Sequence, residues 1–176
     1  LMQRVKLDRI DRRILADLQA DGRMTNVELA RRSGISAPPC LRRVRALEET
    51  GYIRGYHADI DPGALGYTVT VFAQVGLSSQ AEADLKAFED LTNTWPEVRE
   101  CHMLAGETDF LLKVVAHDWD DYQRFLTTRL TAAPNISHVK SALAIRSAKV
   151  QPGVPIDIDE GEEPEPMIEE ETDSPT

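Results

Sequence analysis

The sequence predicts an α+β chain in two unlike halves, and three observations carry that expectation. Residues 1–60 place apolar side chains at spacings of three and four, with capping residues ahead of each run and glycine behind it. Residues 68–145 alternate period-two and helical patterning in the order βαββαβ. Between them, Asp61-Pro62-Gly63 breaks the chain. The expected boundaries are 5–60 for a helical domain, 61–67 for a hinge, 68–156 for a mixed domain and 157–176 for an acidic tail.

In the first half, Asp8 caps a helix with Asp11 in the reciprocal capping position, and Ile10, Ile14, Leu15 and Leu18 supply its apolar stripe up to Asp21-Gly22. Thr25-Asn26-Val27-Glu28 is a second capping box, opening a helix that buries Val27, Leu29 and Ala30 and stops at Gly34. Ala30 followed by Gly34-Ile35 supplies a small residue where helices touch, a glycine free to take positive φ, and an apolar plug: the turn of a helix-turn-helix. Ser36 then caps a third helix, with Pro38 and Pro39 in the first turn where their missing N–H groups are no loss. At 100° per residue Cys40, Val44 and Leu47 share one side, Pro38, Arg42 and Arg45 point away, and Arg43 lies on a flank.

Such a helix can lie in a major groove with its arginines on guanine edges or phosphates. Alone it also fits a solvated basic face; the A-x-x-x-G-I turn before it favours DNA. The expected DNA-contacting residues are Ser36, Pro38, Pro39, Arg42, Arg43 and Arg45. Tyr52 to Ile60, with β-branched and aromatic residues around a glycine, suggests a strand or wing. His57 within it suits a polar outward position, a phosphate contact or a pH switch.

In the second half, Thr68–Leu77 is a strand with Val69, Val71, Ala73, Val75 and Leu77 on one face, and Ala81–Asn93 a helix turning Leu85, Phe88 and Leu91 inward. Val98–Ala105 and Asp109–Ala116 form an antiparallel hairpin around Gly106-Glu107-Thr108. Asp118 caps a helix burying Trp119, Tyr122, Phe125 and Leu126, and a last strand runs from about Ile136 to Ile145. The order is that of the ferredoxin-like split βαβ motif, with both helices on one sheet face. Phe72, Met103, Val139 and Leu143 are candidates for the other face, which calls for a second subunit as cover.

The net charge of −10 is unevenly spread. Residues 1–60 hold 12 Lys/Arg against 8 Asp/Glu, residues 61–156 hold 8 against 12, and residues 157–176 hold 10 acids and no base. The positive part therefore coincides with the helical domain, and the acidic total does not argue against nucleic acid. The tail is too poor in apolar residues to fold. Two cysteines make no disulfide framework, and there is no signal-peptide h-region or long apolar span, so the expected location is the cytoplasm with no membrane partner. The opening Leu1-Met2 leaves the first six residues without weight.

Chemistry is sparse. Cys101-His102 invites a metal, but neighbours on a strand point to opposite faces and no spaced ligand set accompanies them, so neither metal nor cofactor is expected. Asp118, Asp120 and Asp121 cluster at a helix start, which attracts acids without catalysis, and no nucleotide loop or nucleophile elbow occurs. No catalytic residues are expected and the chain is not read as an enzyme. Gly106-Glu107-Thr108-Asp109 is either a plain hairpin turn or a place where backbone N–H groups take a carboxylate while Asp109 accepts from an ammonium, as recognition of an α-amino acid requires.

Both halves together resemble the Lrp/AsnC transcription regulators over roughly residues 5–156. The resemblance rests on D-R-I-D-R-R-I-L at Asp8–Leu15, C-L-R-R-V-R-A-L-E at Cys40–Glu48, G-Y-I-R-G-Y at Gly51–Tyr56, E-C-H at Glu100–His102 and G-E-T-D-F-L-L-K-V at Gly106–Val114, and is greatest for the leucine-responsive branch. It implies a winged helix-turn-helix, a ferredoxin-like domain that dimerises through its sheet, dimers assembling into a tetramer or octamer on double-stranded DNA, and an amino-acid effector. The effector residues it implies are Met103, Leu104, Gly106, Glu107, Thr108, Asp109 and Ser141. The chain departs from the family pattern at Val139 and Ala142, where Thr or Ser is usual, and in residues 157–176, which have no counterpart. The resulting expectation is a sequence-specific regulator modulated by an amino acid, with a ligand-independent architectural DNA-wrapping protein as the alternative.

Overall fold

In a computed structural model describing residues 6–160, the chain forms two compact units. The first joins the described residues up to Ala58 with those from Val150 onward; the second is Asp59–Lys149.

The first unit contains α1 (Arg9–Ala20), α2 (Asn26–Ser33) and α3 (Ala37–Glu49) around a core of Ile14, Leu18, Leu29, Ala30, Cys40 and Leu47. The capping box is complete: Asp8 Oδ1 accepts from Asp11 N at 2.8 Å and Asp8 N donates to Asp11 Oδ2 at 3.2 Å. Thr25 caps α2 through Glu28 N, but the Glu28 carboxylate turns to Arg31 at 2.6 Å instead of reciprocating. Gly34 ends α2 at φ 69°, and Ile35 N donates to Ala30 O at 3.1 Å, the cap that only a left-handed residue closes cleanly. Asn26 Nδ2 on Ala37 O at 2.9 Å ties α2 to the start of α3.

Two expectations in this unit are corrected. Val27 is 70% exposed, because a side chain in the first turn of α2 projects ahead of the helix body, past the core. Tyr52–Ile60 forms no strand: Tyr52 and Ile53 pack onto the core and the rest runs on without a ladder partner.

The second unit is a four-stranded antiparallel sheet, order β2-β3-β1-β4, from β1 (Val69–Leu77), β2 (Val98–Met103), β3 (Phe110–Ala116) and β4 (Ile136–Leu143). Two helices cover one face, α4 (Glu82–Thr92) and α5 (Trp119–Phe125), the latter continuing as a π-helical turn, Leu126–Leu130. Val71, Ala73, Val75, Phe110, Leu112, Val114, Tyr122 and Leu130 are fully buried between sheet and helices, the ferredoxin-like arrangement. Trp119, expected inside, is 42% exposed at the first position of α5, for the same first-turn reason as Val27. The hinge expected at 61–67 is a 3₁₀ turn, Gly63–Leu65, followed by Tyr67, which stacks on His117 at 4.2 Å; it belongs to this unit.

Register corrects the expected open face. Leu143 lies opposite Val71, Val139 opposite Val75 and Met103 opposite Phe110, so all three stand on the helix side. Met103 and Leu143 are exposed because they sit on edge strands beyond the helices' cover. Phe72 is on the open face, which is otherwise mixed: Glu100 takes Lys113 and His102 at 3.1 Å each, beside Leu111 and Val115.

After β4 the chain does not stay with the sheet. Residues 150–160 return to α1, where sequence had assigned 150–156 to the second domain. Gln19 and Arg12 hold them through hydrogen bonds that no periodicity announces. Of the acidic tail, 161–176 lies outside the described residues.

Candidate functional site

On α3, burial of Cys40 and Leu47 turns the opposite side outward, and Ser36, Pro38, Arg42 and Arg45 are exposed there while Pro39 is half-buried. Ser36 makes no side-chain cap, so its hydroxyl is uncommitted. Most arginines of this unit are paired: Arg13 with Asp17 at 3.2 Å, Arg31 with Glu28 at 2.6 Å, Arg32 with Asp17 at 3.4 Å. Among the described residues Arg42 and Arg45 have no carboxylate within 4.0 Å. Two cations without counter-charge on the exposed face of the second helix of a helix-turn-helix are what a phosphate or guanine edge requires.

Arg43 stands apart from them. Its Nη1 holds Asp8 Oδ2 at 2.7 Å and Asp11 Oδ1 at 2.9 Å, clamping α3 to the capping box of α1. Burial works against the charged Asp8 carboxyl, but the Asp11 backbone N–H and the Arg43 guanidinium outweigh it and hold its pKa below the usual value. Asp17 was not singled out in the sequence. It is a buried acid that joins α1 to α2 through Arg32 while also pairing with Arg13 of its own helix, and an acid in the apolar i, i+3 row after Ile14 is the signal that could have found it.

On the second unit, Met103, Leu104, Gly106, Glu107, Thr108 and Asp109 lie together at the β2–β3 connection, closed by Leu104 N on Asp109 O at 2.8 Å. Met103 is 60% exposed, Leu104, Gly106 and Glu107 are exposed, and a Cβ at Gly106 would meet nothing within 4 Å. The Asp109 carboxylate is already in use: Oδ2 accepts from Leu77 N at 2.6 Å, and Asp109 N donates to Val75 O at 3.0 Å. Its other oxygen has no hydrogen-bond partner among the described residues. Ser141 is not part of this cluster within one chain. It sits on β4 opposite Ala73, bonded to the Tyr122 hydroxyl, three strand spacings or roughly 14 Å from β2. A cavity of about 110 Å³ lies at Thr92, Asn93 and residues 98–101, away from the β2–β3 connection and smaller than ligand pockets commonly are.

Cys101 faces Leu112 and the core, His102 the open side, as strand alternation requires. Burial pushes both the Cys40 and Cys101 thiols up, keeping them protonated. Among the described residues no three His, Cys, Asp or Glu side chains gather as a metal site, and no helix is long and apolar enough to cross a membrane.

Comparison with known proteins agrees with this geometry. Residues 7–54 match a winged helix-turn-helix DNA-binding domain and residues 70–154 match the Lrp/AsnC ligand binding domain. The chain is 54% identical over 149 residues to a leucine-responsive regulatory protein of Rhizobium meliloti, covering 85% of this chain and 96% of that one. It is 41% identical to the Bkd operon transcriptional regulator of Pseudomonas aeruginosa, over 86% and 99% of the two chains. A transcriptional regulator of Neisseria meningitidis solved as a complex with L-Met superposes with a TM-score of 0.81 at 33% identity, over 85% and 97%. With both domains matched and nearly the whole length of these regulators spanned, the chain belongs to the Lrp/AsnC family of transcription regulators, which are DNA-binding proteins and not enzymes.

Proposed function

We propose that the chain is a cytoplasmic regulator that binds double-stranded DNA through Arg42 and Arg45, with Ser36, Pro38 and Pro39 setting the approach of α3, and that a free amino acid modulates this binding. The carrying observation is the division of arginines on and around α3: Arg43, Arg31, Arg32 and Arg13 are consumed by carboxylates, while among the described residues Arg42 and Arg45 are exposed without one. Arg23 and Arg54 are exposed without one as well, but only Arg42 and Arg45 stand on the outward face of the second helix of the helix-turn-helix. The effector surface is the β2–β3 connection. Backbone N–H groups around Gly106 receive the carboxylate, the unshared Asp109 oxygen accepts from the ammonium, and the exposed Met103 and Leu104 suit an aliphatic side chain. Relatives named for leucine and one solved with L-Met support that chemistry.

One chain leaves this surface open, so enclosing a ligand calls for a second copy. Assembly of dimers, through the open sheet face around Phe72, into a tetramer or octamer supplies it. The ligand-independent architectural reading is less favoured, because residues 70–154 match a ligand binding domain. The test is thermal melting of the full chain against the twenty amino acids: a ligand of the native state raises Tm in proportion to ln(1 + [L]/Kd). A flat panel rejects the effector, and loss of DNA binding in neither Arg42→Ala nor Arg45→Ala rejects the interface.

A further inference from the structure

Residues 150–160 lie along α1 as a strap. Gln19 Nε2 donates to Val154 O at 2.6 Å and Val154 N donates back to Gln19 Oε1 at 3.1 Å. Gly153, at φ 68°, permits this approach: a Cβ there would come within 1.9 Å of Gln19 Oε1. Farther on, Arg12 Nη1 reaches Asp157 O at 3.5 Å and Glu160 Oε2 at 3.0 Å, and Arg9 Nε reaches Asp159 Oδ1 at 3.2 Å. Arg12 and Gln19 are seven residues apart and so share one face of the helix. From Arg9 to Gln19 the helix rises roughly 15 Å. Extended chain from Val154 to Asp159 spans roughly 17 Å, so the two run antiparallel in register.

The strap has two parts of different character. Its first part is anchored by the reciprocal Gln19 bonds, with Ile156 and Ile158 half-buried. Its second part is charge on the surface: Asp159 and Glu160 are largely exposed, and ion pairs of that kind are weak and readily exchanged. Arg12 also keeps a buried Nε with no hydrogen-bond partner, a donor that the strap does not satisfy. The match to the family's ligand binding domain covers residues 70–154, so Asp157, Asp159 and Glu160 lie beyond it.

We propose that Arg9 and Arg12 form a phosphate-binding surface for the DNA backbone, beside the one on α3, and that the acidic end of the strap occupies it in competition with DNA. This rests on the DNA-binding reading above. Neutralising the acids frees the arginines and leaves the anchor in place. The experiment compares the full chain with its Asp159→Asn/Glu160→Gln form, measuring binding to a labelled mixed-sequence duplex of about three helical turns by fluorescence anisotropy from about 50 to about 200 mM salt. With two more phosphates engaged, the slope of log K against log salt steepens by up to about 1.8, and the variant's advantage shrinks by about tenfold across that range. In an Arg9→Ala/Arg12→Ala background the same two substitutions leave affinity unchanged. A lower melting temperature with an unchanged salt slope overturns the proposal and makes the strap a brace. A starting chain that binds no duplex at about 50 mM salt overturns the DNA-binding reading as well, which separates the two failures.

Discussion

Arg42, Arg43 and Arg45 are neighbours in one helix, yet the structure gives them different work, and alanine at each should separate two measurements. Among the described residues Arg42 and Arg45 have no acid partner, so their removal takes away no ion pair within them. Each that touches a phosphate should lower the magnitude of the salt slope by about 0.9, and each that reads a base should cost about 1 to 3 kcal/mol at one position of the site. Arg43 makes two ion pairs, at 2.7 and 2.9 Å, with its side chain one-third exposed. Discounted for solvent, these are worth about 1 kcal/mol together. For a domain of this size that is a fall in melting temperature of about 4 to 8 °C. Calorimetry and anisotropy on the three variants decide the matter. If Arg43→Ala lowers the salt slope as much as Arg42→Ala does, and melts like the parent, the division of labour is refuted.

Gly106→Val should leave the melting temperature within about 1 °C, since its Cβ meets nothing, yet abolish any amino-acid-dependent change in DNA binding; a parental response in anisotropy would place the effector elsewhere. Gly34→Ala should cost about 1 kcal/mol by urea denaturation, because φ 69° strains any residue with a Cβ. Glu100 is held below its usual pKa, first by the His102 ring and then by Lys113. A depressed folded pKa gives stability that is present above the unfolded value of 4.5 and lost as pH falls through the folded one, so Glu100→Gln should lower stability at pH 7, flatten the acid limb of a stability–pH curve and leave the variant and parent alike once pH is below the folded pKa.

Much of this was legible in the residues because it is local. Asp8 and Asp11, Thr25, Gly34 and the period-two run of β1 act within a few residues of themselves, and the helices and strands follow. What failed to show was partnership across sequence. Helical angle puts Arg43 on a flank but cannot say that Asp8 and Asp11, more than thirty residues away, will take it. Alternation says which residues of β4 share a face, but register against β1 decides that Val139 and Leu143 lie with Val75 and Val71. Val27 and Trp119 satisfy the apolar pattern and still point past their cores from first-turn positions. The strap along α1 has no period at all; its docking depends on Gln19 and on one glycine with positive φ. At the proposed ligand surface the Gly106–Asp109 turn was visible, whereas the use of Asp109 by Leu77 N was not, and Ser141 lies on the opposite edge strand, three strand spacings from β2.

The central claim is that an amino acid acting on the second unit changes DNA binding by the first. It is tested most directly by titrating the full chain onto a labelled duplex with and without each of the twenty amino acids at millimolar concentration. The account predicts that at least one aliphatic amino acid shifts Kd by about fivefold or more, the range expected for a coupling between sites of about 1 to 3 kcal/mol. Binding curves that superpose for all twenty, with DNA bound, would contradict it.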